Sequence, residues 1–304
     1  MKYTYLIIVI IVLSCIANAQ TGKVNFDNSN KTPLLIEKPD STIPPELIGL
    51  NNAAVRKALG GNYEAAVVDF RQVVAQAPDC LEAQINLGNA LKNVGKYDES
   101  INIFQHLIET NPLFADAYAG LGEVYNDNQM FDESIANFRR AVELNPTDAS
   151  SFANLANSLY FVKKYKESIE ASSKALKINP KFVQAYNNQG VSLFALGKNK
   201  EAIECFRQAI AINPKFAEPY NNLGVILSQL GKKDEAHRAF LEAVRLRPEW
   251  SYALFNLAVS FLERGDRESA RRQMNALSNY DTNLADKVRE SLNQKLKSRV
   301  KWHV

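Results

Sequence analysis

The sequence predicts an all-α protein, a stack of about seven helix–turn–helix units of 34 residues, and three observations predict it. Pro78, Pro112, Pro146, Pro180, Pro214 and Pro248 recur at a constant step of 34 residues. Between successive prolines lie two segments of about a dozen residues with helical apolar periodicity, separated by short turns such as Gly61-Asn62-Tyr63, Gly95-Lys96-Tyr97 and Gly197-Lys198-Asn199. Asparagine keeps the same step at Asn52, Asn86, Asn154, Asn188, Asn222 and Asn256, with Gly120 at the remaining place. A period that survives along the chain outranks any element-by-element assignment.

In chain order, the N-terminus carries Lys2, an apolar run from Leu6 to Leu13, and Ala17-Asn18-Ala19 before Gln20. This is the layout of a secretory signal with an A-x-A cleavage site, and its apolar core is too short to span a bilayer comfortably. Residues 1–19 are therefore expected to be removed and the protein to be exported, to a periplasmic or envelope-associated location. Val12-Leu13-Ser14-Cys15 resembles a lipobox, so lipidation at Cys15 is the alternative. Cleavage after Ala19 is favoured, because that site is well formed while Ser14 is an uncommon residue before a lipobox cysteine. Residues 20–44 are polar, lack periodicity and close on Pro44-Pro45, which predicts a flexible linker. The repeats occupy 45–282, with units starting near 47, 81, 115, 149, 183, 217 and 251. Each second helix is expected to stop at its Asn-Pro or equivalent, because proline cannot continue a helix and pushes the preceding residue out of the helical region. In 283–304, Leu284, Val288, Leu292, Leu296 and Val300 form one stripe beside Lys287, Arg289, Lys295, Lys297, Arg299 and Lys301. That pattern predicts a basic amphipathic helix capping the exposed flank of the last repeat, with a contact to anionic lipid as the alternative.

The 304 residues are 46% hydrophobic and 23% charged with a net charge of +3, and much of the excess base sits in the terminal helix. The repeats themselves are near neutral, which argues against a nucleic-acid groove. Cys80 and Cys205, the cysteines of the cleaved chain, lie nearly four repeats apart in a stack where each repeat touches only its neighbours, so no disulfide framework is expected. His106, His237 and His303 are scattered, lack ligand spacing and read as ordinary surface histidines. With no phosphate loop, dinucleotide fingerprint or nucleophile elbow, the chain reads as non-enzymatic, without cofactor or metal.

Unit 217–250 places Tyr220, Leu223, Gly224, Leu227, Gly231, Ala236, Phe240, Ala243 and Pro248 at set offsets. Unit 115–148 places Tyr118, Leu121, Gly122, Tyr125, Phe131, Phe138, Ala141 and Pro146 there. This pattern, in phase from about 45 to 282, resembles that of the tetratricopeptide repeat (TPR) family. Departures are Ala53-Ala54 for Leu-Gly in the first unit, Ser172 for an aromatic in the fourth and Thr282 for proline in the seventh. The resemblance implies a right-handed superhelical α-solenoid whose first helices line a concave surface. Independently of it, positions 4, 8 and 11 of each unit fall within about 60° on a helical wheel. Gly88, Gly122, Gly190 and Gly224, at position 8, therefore mark close helix approach.

Position 6, the place of the periodic asparagines, lies about 150° from that packing face and would meet solvent on an isolated helix. Asn is a poor mid-helix residue, so six of them forgo about 2–4 kcal/mol, and a side chain that both donates and accepts must be wanted there. The resemblance implies that positions 2, 5, 6, 9, 12 and 13 face the concave surface, which collects Asn51, Asn52, Asn86, Asn89, Asn93, Asn126, Asn154, Asn157, Asn187, Asn188, Asn221, Asn222 and Asn256. Such a ladder is similar to the one with which the TPR portion of O-linked N-acetylglucosamine transferase holds a peptide main chain. The alternative is that these asparagines bridge neighbouring helices of the scaffold. The other concave positions hold Glu82, Asp116, Glu123 and Asp127 against the single base Lys92, then Tyr160, Phe161, Val191, Phe194, Val225, Tyr252, Phe255, Val259 and Leu262. The bases that clamp a chaperone's C-terminal carboxylate in other TPR proteins are absent. The candidate peptide-binding set is Asn86, Asn89, Asn154, Asn157, Asn187, Asn188, Asn221, Asn222 and Asn256 with Tyr160, Phe161, Phe194 and Phe255. The expected function is a non-catalytic scaffold or adaptor of the cell envelope that binds an extended peptide, apolar or aromatic with some positive charge. The alternative is the substrate-recruiting subunit of a complex with a separate glycosyltransferase or protease. No nucleic acid is expected, and membrane contact only through a lipid anchor or the basic C-terminal helix.

Overall fold

The computed structural model describes residues 43–300, with side chains to residue 293. The expected signal at 1–19, Cys15 and the linker up to residue 42 lie outside the described residues, as do the side chains of Leu296 and Val300. All regular structure among the described residues is helical, and it divides after Ile178 into two bodies.

The first body holds α1 (Pro45–Leu59), α2 (Tyr63–Gln76), α3 (Leu81–Asn93), α4 (Tyr97–Thr110), α5 (Ala115–Asp127), α6 (Phe131–Leu144), α7 (Ala149–Phe161) and α8 (Tyr165–Ile178). The second holds α9 (Val183–Ala195), α10 (Asn199–Ile212), α11 (Ala217–Gln229), α12 (Lys233–Leu246), α13 (Ser251–Glu263), α14 (Arg267–Leu277) and α15 (Thr282–Val300). Odd-numbered helices before α15 are the first helices of the repeats and even-numbered ones the second. Each packs on the next in sequence within its body, and successive first helices also touch.

The punctuation works as the chemistry requires. Asn111, Asn145 and Asn213, each before a proline, leave the helical region at φ −136, −128 and −132°. Within a repeat the first helix ends in a residue at positive φ, Gly61, Gly95, Gly197, Gly231 and Gly265, while Gln129 and Lys163 hold the same left-handed conformation at φ 62 and 63° without being glycine. Position 8 is close-packed: a Cβ on Gly88, Gly190 or Gly224 would sit 2.8, 2.6 and 2.6 Å from the rings of Phe104, Phe206 and Phe240 of the same repeats. Two repeats with alanine there have a partner other than phenylalanine, Ala156 with Ser172 and Ala258 with Met274, while in the first repeat Ala54 shares a buried cluster with the Phe70 ring. Small residues at position 20 let the pair come this close, and where the residue is serine its hydroxyl is buried and donates to the position-8 carbonyl. Ser100 bonds Gly88 O at 2.7 Å, Ser134 bonds Gly122 O at 2.8 Å and Ser168 bonds Ala156 O at 2.7 Å.

At the end of the second body α15 lays Leu284, Ala285, Val288 and Leu292 on the cluster of Leu254, Phe255, Leu257, Ala258, Met274 and Leu277. Arg267 of α14 donates to the Leu292 carbonyl, tying the two helices together.

Candidate functional site

Positions 2, 5, 6, 9, 12 and 13 share one face about 120° wide on each first helix, by helical geometry. In the first body that face is knitted across repeats. Lys92 of α3 is 3% exposed and pairs with Glu123 of α5. The other oxygen of Glu123 accepts from Asn154 Nδ2 of α7 at 3.2 Å. One carboxylate thus joins three successive first helices. Deeper in, Asn126 Oδ1 accepts from Ser158 Oγ at 3.0 Å, and Ser158 meets Ser134 Oγ at 2.9 Å. Burial, then the Asp127 carboxylate, raise the Tyr97 phenol above its usual range, while Lys92 opposes them.

Three carboxamides of this face hold buried atoms without a hydrogen bond. Asn86 is 2% exposed with neither amide atom hydrogen-bonded, and the Oδ1 atoms of buried Asn51 and Asn157 are likewise without a hydrogen bond. Asn89 is half-buried and its carbonyl accepts from Asn93 Nδ2 at 2.8 Å. Tyr160 and Phe161, half-buried, end α7 in an aromatic group: Phe161 stacks on Phe131 with centroids 4.5 Å apart, and Tyr160 lies 5.7 Å from Tyr165. Phe131 and Tyr165 start second helices, and the position numbering of the first helices gave no reason to look there.

In the second body the asparagines bridge neighbouring repeats. Asn222 Nδ2 donates to Asn187 Oδ1 at 3.0 Å, and Asn256 Nδ2 donates to Asn221 Oδ1 at 2.8 Å, so position 6 of one repeat binds position 5 of the repeat before. Asn187, Asn188, Asn221 and Asn256 are buried and Asn222 half-buried, where an isolated helix would leave position 6 in solvent. The neighbouring first helix covers that flank. Scaffold bridging is made at Asn222 and Asn256, while Asn51 and Asn86, the same pair of positions in the first two repeats, do not bond each other. Phe194 is half-buried and packs against the core cluster, to which Phe255, 2% exposed, belongs.

The structure corrects the reading of His237 as a surface residue. It stands where Ile101, Ile135, Ile169 and Ile203 stand in other repeats, is buried, and shares a 2.8 Å hydrogen bond between Nδ1 and Ser260 Oγ of the next first helix. Its ring meets Phe261 edge-on at 4.6 Å. Burial lowers its pKa, Arg264 lowers it further, and Asp234 and Asp266 oppose. The break in the isoleucine series was the signal in the sequence.

Cys80 and Cys205 are free thiols, and burial pushes Cys205 up to about 11, far from a reactive thiolate. Among the described residues no three His, Cys, Asp or Glu side chains are placed to hold a metal ion, and no helix is long and apolar enough to cross a membrane.

Residues 85–149, 149–182, 217–250 and 252–282 match family descriptions of the tetratricopeptide repeat, and residues 190–231 match a further TPR repeat description. No curated protein matches the sequence. Among solved structures, the chain superposes on the APC/C hetero-tetramer Cut9–Hcn1 with a TM-score of 0.68 at 17% identity, covering 84% of this chain and 49% of that one. It superposes on PilF of Pseudomonas aeruginosa with a TM-score of 0.59 at 18% identity, covering 69% and 97% of the two chains. For the TPR protein TTC0263 of Thermus thermophilus the values are 0.53, 18%, 60% and 99%. Identities this low establish a shared fold, and the chain carries tetratricopeptide repeats.

Proposed function

We propose that this tetratricopeptide-repeat protein is a non-catalytic interaction scaffold of the cell envelope that holds an extended peptide along the face of its first helices. The observation that carries the reading is the row of carboxamides on the first-helix face of the first body, where Asn52, Asn89, Asn126 and Asn154 are half-buried and Asn93 is exposed. A peptide main chain offers both donors and acceptors to such a row. Neighbouring first helices pack about 10 Å apart and an extended strand rises about 3.4 Å per residue, so each repeat meets every third residue of a threaded chain. Side chains then choose the sequence. Glu82, Asp116, Glu123 and Asp127 outnumber Lys92 in the first body, and Tyr160 and Phe161 supply apolar contact there, which suits an apolar or aromatic peptide with some positive charge.

Peptides selected by display on the chain test this. Asn52→Ala with Asn89→Ala removes two half-buried carboxamides of this face, so the melting temperature holds or rises while affinity falls about tenfold or more, two lost hydrogen bonds being worth about 0.5–1.5 kcal/mol each. Asn187→Ala with Asn221→Ala instead breaks scaffold bridges and lowers the melting temperature. Unchanged affinity in the first variant overturns the reading. Export has its own check: mass spectrometry of the protein from its native envelope finds an N-terminus at Gln20, or a lipidated Cys15 if the alternative holds, and an intact Met1 defeats it.

A further inference from the structure

Position 13 ends the first helix of a repeat and position 17 begins the second, and in the first body these positions meet across the joint between repeats. Phe161, at position 13 of the fourth repeat, stacks on Phe131, at position 17 of the third, with ring centroids 4.5 Å apart and planes 14° from parallel. One repeat earlier the same two positions hold Asp127 and Tyr97. There the carboxylate acts on the phenol: burial, then Asp127, raise the Tyr97 pKa. One joint is ring on ring, and the joint before it sets a carboxylate beside a ring.

Both joints keep surface for a ligand. Tyr97, Asp127, Phe131 and Phe161 are all half-buried. Among the described residues the Asp127 carboxylate has neither a hydrogen bond nor an ion pair, and Lys92, the base that also acts on Tyr97, is paired with Glu123. A half-buried carboxylate has lost part of its water, and a cation replaces what it lost. The neighbouring ring adds attraction for the same cation. Arginine suits this joint best, because its planar guanidinium pairs with a carboxylate and stacks on a ring at once. The next joint offers ring surface instead, with Tyr160 edge-on to Phe161 at 5.6 Å. The turns that follow these two first helices are also set apart. Gln129 and Lys163 hold positive φ at position 15, where the five other repeats have glycine. That conformation is costly for a residue with a side chain, and such strain collects at binding sites.

The two joints lie one repeat, about 10 Å, apart. Residues three apart in a β-strand point to opposite sides, whereas in a polyproline II helix they share a side and rise about 9.3 Å, one full turn. A peptide in that conformation presents two side chains to two successive joints. We propose that the first body recognises a polyproline II peptide whose basic residue, arginine before lysine, docks at Asp127 and Tyr97, and whose aromatic residue, three positions away, docks on Phe131, Phe161 and Tyr160. This rests on the peptide-binding reading above and gives it a sequence motif.

The probes are fluorescein-labelled peptides carrying Arg-Pro-Pro-Phe or, for the opposite chain direction, Phe-Pro-Pro-Arg between Gly-Ser flanks, titrated by fluorescence anisotropy against the chain from Gln20 to Val304. One of the two orders binds about tenfold more tightly than peptides of the same direction with one proline or three between the arginine and the phenylalanine. Citrulline in place of the arginine keeps the shape and removes the charge. It weakens binding to the parent chain about tenfold and weakens binding to Asp127→Asn little further. Asp127→Asn melts no lower than the parent, since no bond of the fold is lost. Phe161→Leu, which keeps an apolar residue at the joint, narrows the preference for phenylalanine over leucine in the peptide. Equal binding at every spacing, an equal loss from citrulline in the parent and in Asp127→Asn, or no binding in either order overturns the proposal. A lowered melting temperature in Asp127→Asn overturns it too, by assigning the carboxylate to the fold. Display-selected peptides separate the motif from the broader reading: if they bind the face but share no basic residue three positions from an aromatic one, the motif alone fails. If no peptide binds, the peptide-binding reading fails with it.

Discussion

A histidine in place of isoleucine is a one-residue change with a pH signature. His237 sits buried between α12 and α13, bonded to Ser260 and edge-on to Phe261, and faces Asp234 on its own helix with Arg264 and Asp266 beyond the end of α13. Burial makes the charged form unfavourable, so its folded pKa lies below the ordinary 6.5. The unfolded chain then binds the proton first on acidification. The stability that depends on the neutral ring is present above about pH 6.5 and is lost as pH falls through the lowered folded value. Thermal melts at pH 7.5 and 5.0 should therefore differ more for the native chain than for His237→Ile, which restores the residue of four other repeats. Equal differences would show that the ring does not titrate across this interface. Nothing in composition or periodicity made this residue legible as buried. Only its position in the isoleucine series did, and a scattered histidine with no ligand spacing looks like a surface residue until the repeat register is used.

At the level of the element, four repeats are pairs of helices locked by one glycine and one ring, Gly88 with Phe104, Gly122 with Phe138, Gly190 with Phe206 and Gly224 with Phe240. The prolines, the turn glycines and the position-8 glycines were all legible, because each answers a backbone or steric demand that a residue type states by itself. The partners were not. Ser100, Ser134 and Ser168 send their hydroxyls 12 residues back to position-8 carbonyls, and no propensity argument announces a buried serine. The fate of the asparagines was open for a related reason: helix geometry gives the direction of position 6, while the neighbouring repeat decides whether it meets water, as half-buried Asn222 and buried Asn256 show. The glycine–ring lock predicts its own rescue. Gly224→Ala would put a methyl 2.6 Å from the Phe240 ring, an overpacking that costs about 1–3 kcal/mol. Phe240→Met alone also destabilises, by removing ring contacts. Because the seventh repeat pairs Ala258 with Met274, the double variant should recover part of the loss, and a double-mutant cycle measured by urea unfolding reads the coupling as a departure from additivity. Additive losses would mean that the ring moves aside at no cost.

Across the whole chain, the governing fact is that a repeat cannot bury its own flank. Each helix pair leaves apolar side chains for the next pair to cover, so the last repeat of the second body ends with Leu254, Phe255, Leu257 and Ala258 in need of cover. Leu284, Val288 and Leu292 of α15 meet that need, being 5%, 1% and 3% exposed. The i+4 stripe made these three legible from sequence as a cap, while the basic residues interleaved with them left a lipid surface as the alternative. Their burial against α13 and α14 uses the apolar stripe inside the protein, and a stripe so used is not available to insert into a bilayer. Full burial of a leucine or valine is worth about 1.5–3 kcal/mol, so removing residues 284–304 strips several kcal/mol from the second body and bares its terminal cluster. Its melting temperature should fall by about 5 °C or more, given roughly 2–4 °C per kcal/mol for a chain of this size, and deuterium uptake should rise first in α13 and α14. The contrary result is equally concrete: an unchanged melting curve together with lost binding to anionic liposomes would assign the segment to the membrane and leave the flank of the seventh repeat to some other cover.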